Sequence, residues 1–210
     1  MKSARPGQGS PKRRIELLEE HRQEVLGCTR CFPAADNWPV ITDAPPRRVV
    51  LVGQAPGIRE RETRRPFTGP AGKRLDAWLG EAGVSRDEVY ITAICKCFPG
   101  KAKGGGDFVP SRAMISNCQP YLEREFDLIG PRVVVPVGGL AIRQLLNISR
   151  LTDAIGERFE RDGTIHVPLP HPSGASTWLN RPENRERLRA ALRIVGELVS
   201  GERRGERESG

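Results

Sequence analysis

Val49-Val50-Leu51-Val52-Gly53-Gln54-Ala55-Pro56-Gly57 decides how this chain folds. Four apolar residues in a row, with no polar alternation, read as a strand buried on both faces, as in a parallel sheet. A rigid turn follows at once. Two glycines and a proline let the backbone N–H groups of residues 53–57 come close to a ligand. Working outward, residues 89–94 and 133–137 are further short apolar runs, and residues 164–168 form a fourth. Helical patterns separate them. Residues 70–80 place Leu75, Trp78 and Leu79 on one face, and Pro110 with Ser111 opens a helix that runs to about Asp127. Residues 139–146 continue the alternation, and residues 182–199 align Leu188, Leu192, Val195 and Leu198 in a stripe.

Alternating strands and helices imply an α/β fold: an open parallel four-stranded sheet with helices on both faces. In such a sheet ligands sit at the carboxyl ends of the strands. The 53–57 turn falls there, and so does His171-Pro172-Ser173, which follows the fourth strand. Prolines on both sides fix the backbone of His171, which suits a group that must point at one atom. A lone Phe is more often core, but Phe67 lies in a turn, Pro66-Phe67-Thr68-Gly69, outside any apolar periodicity, and this adds weight to a stacking role.

The chain is expected to form one domain over residues 15–200, between a disordered basic arm (1–14) and a disordered charged tail (201–210). Residues 15–26 read as a helix ended by Gly27 in the manner of a C′ glycine. The glycine-rich stretch 100–107 reads as a surface loop. A simple insertion is slightly favoured there over a phosphate contact by Lys101 and Lys103. Among 210 residues, 34 are Lys or Arg and 26 are Asp or Glu, a formal net charge of +8. That excess points to a polyanionic partner such as a nucleic acid. No apolar run is long enough to span a bilayer, and the basic N-terminus lacks the apolar stretch of a signal peptide. A cytoplasmic monomer with no membrane contact is expected.

Such a protein seldom uses disulfides, so its five cysteines suggest metal or redox chemistry. Cys28-Thr-Arg-Cys31 can present two thiolates to one centre, and Cys97 and Cys118 can supply two more. Zinc and an iron–sulfur cluster both suit four thiolates. Cys95 alternates with Cys97 along a strand, so it is expected on the opposite face as a small core residue.

Taken together, these motifs resemble the uracil-DNA glycosylase superfamily, particularly its iron–sulfur branch. There the first motif reads Gly-Glu-(Ala/Gly)-Pro-Gly-x-x-Glu, followed by Pro-Phe-x-Gly and Ala-Gly. This chain has Gly53-Gln54-Ala55-Pro56-Gly57-Ile58-Arg59-Glu60, then Pro66-Phe67-Thr68-Gly69-Pro70-Ala71-Gly72. Lys96-Cys97, Cys118-Gln119-Pro120-Tyr121-Leu122 and His171-Pro172-Ser173 match in order, so the likeness covers about residues 25–198.

The resemblance implies a 4Fe–4S cluster on Cys28, Cys31, Cys97 and Cys118, and hydrolysis of the N-glycosidic bond of uracil in DNA. The nucleotide would flip out of the duplex and stack on Phe67. His171, Glu60 and Gln54 form the implied catalytic set. His171 would donate to the base's O2, and Glu60 would position water or stabilise the sugar cation. Gly53, Ala55, Gly57, Phe67, Ala93 and Ser173 form the implied base-binding set. Trp178 and Leu179 are expected either to wedge into the vacated stack or to pack against the last helix. Three departures stand out. Ala93 replaces an Asn expected to read the uracil edge. Gln54 replaces Glu, and Ala55 stands where the cluster-free enzymes carry a water-activating Asp. The loop between Cys97 and Cys118 is also long. Another deaminated base (hypoxanthine or xanthine), a damage binder with lapsed catalysis and a zinc-stabilised module are the competing expectations.

Overall fold

The computed structural model describes residues 10–36, 38–173 and 177–208. Its centre is the apolar run at Val49. Strand β1 (Val49–Gly53) is buried throughout and lies between β2 (Val89–Ala93) and β3 (Val133–Pro136), parallel to both. Beyond β3 lies β5 (Thr164–His166), also parallel, and its ladder is prolonged by Val167 and Leu169 donating to Val134 and Pro136. These are the four parallel strands expected. A fifth, β4 (Phe159–Arg161), pairs antiparallel with β5 and gives the order β2-β1-β3-β5-β4. Asp162 and Gly163 join the two with φ of 50° and 74°, the left-handed pair a tight hairpin needs. No hairpin is expected here from the sequence, although Asp-Gly is a hairpin signal. The strands on either side are three residues long and too polar to announce themselves.

Alternation along β1 feeds two cores. Val49 and Leu51 face α3 (Pro70–Glu81) and α6 (Pro182–Glu208), packing with Leu75, Trp78, Leu192 and Val195. Val50 and Val52 face α1 (Pro11–Leu26) and α4 (Arg112–Ile129), with Tyr90, Leu18 and Leu122. Two shorter helices, α2 (Ile58–Thr63) and α5 (Gly139–Leu146), follow β1 and β3 directly. Gly196 lets α6 cross close to the end of α3, since a Cβ there would lie 2.3 Å from the Ala82 carbonyl oxygen.

Both terminal helices run past their expected bounds. Ser10 accepts a hydrogen bond from the Arg13 amide and Pro11 takes the first helical position, so α1 starts four residues before Ile15 and takes in the supposed end of the basic arm. At the other end α6 continues to Glu208 in place of a tail beginning at residue 201. Arg203 ties it down by donating to Glu88 and to the Gly83 carbonyl. Gly27 does end α1, but at φ −85° and not in the left-handed form. No helix among the described residues is long and apolar enough to cross a membrane.

Candidate active site

Because four strands run parallel, the motifs that follow them meet at one edge. Gly53, which ends β1, sits directly beside Ala93, which ends β2. The edge is knitted further by Ile94 and Cys95 amides donating to the Gly53 and Gln54 carbonyls. Ala55 is half-buried against the α4-side core. Phe67 lies over Gly53: a Cβ on that glycine would be 2.8 Å from ring atom Cε2. A second glycine holds the same residue from below, since a Cβ on Gly72 would meet the Phe67 carbonyl oxygen at 1.8 Å. Phe67 itself has φ 53°, a left-handed strain for an aromatic residue that its surroundings must enforce.

Glu60 is what enforces it. Its Oε2 accepts the Gly57 amide at 3.1 Å, and its Oε1 accepts the Thr68 and Gly69 amides, each at 3.0 Å. This buried carboxylate therefore clamps the 53–57 turn to the loop carrying Phe67, at the N-termini of α2 and α3 where negative charge is favoured. With its oxygens committed to three backbone donors, Glu60 is built as a brace.

His171 reaches the same edge from β5. Its ring packs on Gly138, where the φ of 87° favours glycine and an added Cβ would stand 3.2 Å from His171 Cβ and Cδ2. The Ser173 amide donates to His171 Nδ1 at 3.2 Å. Nδ1 must then carry a lone pair, and the neutral ring bears its hydrogen on Nε2. Burial lowers the His171 pKa below the ordinary 6.5, partly opposed by the charges of Asp107 and Glu60. Ser173 contributes through its backbone, and its carbonyl is held by Arg74. Gly174 to Ser176 lie outside the described residues. Trp178 and Leu179 pack against the α3/α6 core, which is the packing alternative for that pair.

Sequence reading overlooked Gly138, marked only by a glycine pair after β3, and Asp107. The glycine-rich loop is a closed hairpin in which Lys101 bridges Asp107. It brings the Asp107 carboxylate to Gly57, where a Cβ would stand 2.9 Å from Oδ2.

The cysteines gather on the α1/α4 side of the same edge. Cys28 and Cys31 follow α1 and Cys118 lies within α4. Asn117 cross-links the two by donating to the Arg30 carbonyl and to Cys31 Sγ. The Lys96 amide approaches Cys118 Sγ at 3.5 Å. Cys97 is pushed up to about 12 by burial, then by the neighbouring Cys118, Cys28 and Cys31 thiols. Cys118 is pulled down to about 6, first by a hydrogen bond from Cys95, then by the Lys96 amide and nearby cations. Cys95 is buried, as expected, but β2 ends at Ala93, so strand alternation does not place it on the far face. It points at Cys118 as a donor.

Cys97 is buried next to three further thiols, and a positively charged centre would relieve the repulsion among their thiolates. Among the described residues no three cysteine, histidine or acidic side chains converge tightly enough to hold a single ion.

All three histidines, His21, His166 and His171, are depressed below 6.5, with burial the leading cause in each. Both ring nitrogens of His21 lack hydrogen-bond partners among the described residues. The unfolded chain takes up these protons near pH 6.5, whereas the folded chain does so only at lower pH. Stability should therefore be full above pH 6.5 and fall as pH drops toward the depressed values. Melting temperatures measured from pH 8 to 5 should decline mainly below 6.5, and a flat profile would contradict this.

The fold is α/β, and its parallel strands bring the Gly53–Phe67 contact, Glu60 and a neutral His171 imidazole to one edge. The family described as "Uracil DNA glycosylase superfamily" matches residues 41–193, and the chain belongs to it: a family of glycosylases, which are hydrolases. A type-4 uracil-DNA glycosylase of Sulfurisphaera tokodaii is 30% identical over 201 residues, spanning 88% of this chain and 86% of that protein. The type-4 enzyme of Archaeoglobus fulgidus is also 30% identical, over 88% of this chain and 94% of its own. That of Thermotoga maritima is 30% identical over 89% and 95%.

Proposed function

We propose that this chain is a monofunctional DNA glycosylase that flips uracil out of DNA and hydrolyses its N-glycosidic bond. It works in the cytoplasm as a monomer, with a 4Fe–4S cluster on Cys28, Cys31, Cys97 and Cys118. The observation that carries the reading is His171 held as the neutral Nε2–H tautomer at the sheet edge where Phe67 lies over Gly53. As the C1′–N bond breaks, electrons collect on the base, and an Nε2–H donor aimed at O2 stabilises them. Phe67 offers the face on which a flipped base stacks, and the glycines at 53 and 57 let the base approach the backbone of Gln54 and Ala55. The +8 charge favours the DNA backbone. When bound, the cluster supplies a positively charged staple joining the end of α1, the segment after β2, and α4.

The test is base release from uracil-containing single- and double-stranded oligonucleotides, read as alkali-labile breaks. Absence of breaks above a His171→Ala control would refute the activity. Lesion binding without release would mark a lapsed enzyme.

Ala93 favours a second reading, in which another deaminated base is the better substrate. Its methyl group sits beside Gly53 where an amide would read the uracil edge. Ala93→Asn should improve uracil over hypoxanthine by the equivalent of about 1–3 kcal/mol if that amide alone is missing. A lesion panel on both proteins decides between the readings.

Protein prepared without oxygen should contain iron and inorganic sulfide in equal amounts, and each of Cys28→Ser, Cys31→Ser, Cys97→Ser and Cys118→Ser should lower both. Cys95→Ser should retain them. Stoichiometric zinc without sulfide would refute the cluster.

A further inference from the structure

We propose that Asp107, delivered by the glycine-rich loop between Cys97 and α4, is the carboxylate that activates the attacking water. This rests on the glycosylase reading above and adds a residue to it. Ala55 leaves the first motif without an acid, and Glu60 is committed to the Gly57, Thr68 and Gly69 amides. The reaction still needs a group to take a proton from water.

Asp107 has the position. Its Oδ2 lies against Gly57, 2.9 Å from where a Cβ would stand. Oδ1 is held by Lys101 Nζ at 2.7 Å, and no donor among the described residues takes Oδ2. Its side chain keeps 34% of its exposure, so water can reach it, in contrast to buried Glu60. Asp107 and Glu60 are the two charges that oppose the effect of burial on His171.

The loop is built to hold this aim. Ala102 receives the Gly105 amide and donates to Gly106, while the Phe108 amide donates to Gly100. Gly100, Gly105 and Gly106 have φ of 102°, 84° and 78°, conformations a side chain would strain. Glycine at 57 leaves room for both carboxylates, because a Cβ there would stand 2.8 Å from Glu60 Oε2 and 2.9 Å from Asp107 Oδ2.

In the step assigned to Asp107, the C1′–N bond breaks and its electron pair leaves with the base, stabilised by His171 Nε2–H. A water oxygen bonds to C1′ as one water proton passes to Asp107 Oδ2. That proton then goes to the departing base or to solvent, which regenerates the carboxylate.

The test uses the full chain and uracil-containing oligonucleotides under single-turnover and steady-state conditions. Asp107→Asn should lower kcat by about 10²–10⁴-fold, the range for loss of a general base, with KM little changed. Asp107→Glu should recover part of the loss, and thermal melting of each variant checks the fold. A purely structural loop residue would not give that split or that rescue. Release by Asp107→Asn within roughly threefold of wild type, while His171→Ala is inactive, overturns the role of Asp107 and leaves the glycosylase reading intact. So does a rise in KM with kcat unchanged. No release by the wild type from any deaminated base overturns the glycosylase reading itself.

Discussion

Replacing His171 by alanine is expected to slow base release by roughly 10²–10³-fold, the usual cost of one preorganised donor to a developing anion. Ground-state binding of lesion DNA should change little, since the donor matters most when charge has moved onto the base. The loss should therefore appear in kcat, measured as single-turnover release with saturating enzyme. Gly138→Ala is the informative companion. It leaves every polar group in place, yet it puts a methyl group 3.2 Å from the imidazole and strains a backbone at φ 87°. If the aim of Nε2–H is what counts, Gly138→Ala should lose much of the same rate with the histidine still present. If it releases base as fast as the wild type, the fixed imidazole is not the source of the rate. His171→Ala with undiminished release would refute the assignment outright.

The parallel sheet was legible because strands buried on both faces, such as 49–52, leave unbroken apolar runs, and the turns that follow them carry glycine and proline. The resulting topology put His171 and the 53–57 turn at one edge. Residues whose role depends on three-dimensional closure left no such trace. Asp107 sits among glycines and lysines in a stretch that composition marks as an exposed loop. Only the hairpin's closure turns its carboxylate toward Gly57. Glu60 was legible as a functional acid, but three backbone donors converging on it from two turns belong to the fold, and they change what it can do. Cys95 was judged by strand alternation, which ceased to apply once β2 ended at Ala93. Helix α6 outran its expected end because its anchor, Glu88, lies 115 residues away in sequence.

Single replacement of Lys96 or Glu125 should be among the most destabilising changes in the protein, at about 3–5 kcal/mol each. Both side chains are essentially inaccessible, and they pair beside Ala93 at the end of β2. Glu125 also accepts from Tyr90 Oη at 3.0 Å and Thr92 Oγ1 at 2.8 Å, and Lys96 Nζ donates to Thr92 Oγ1 and the Ala93 carbonyl. Every polar atom in the group has a partner, so removing one member strands a buried charge beside two hydroxyls. Lys96→Met leaves Glu125 without its cation, and Glu125→Leu leaves the ammonium unpaired. The double variant removes both charges and should be more stable than either single one. Urea unfolding of the four proteins gives the coupling directly, and strictly additive losses would show that the pair does not act as a unit. The position of the pair gives it a functional reach. Lys96 holds Ala93, at the strand end proposed to read the base, while its backbone amide approaches Cys118 on α4. A variant that disturbs Lys96 should thus alter base selectivity and iron retention together. Folded double variant that keeps its iron but loses discrimination between uracil and hypoxanthine would separate the two links and assign Lys96 to the pocket.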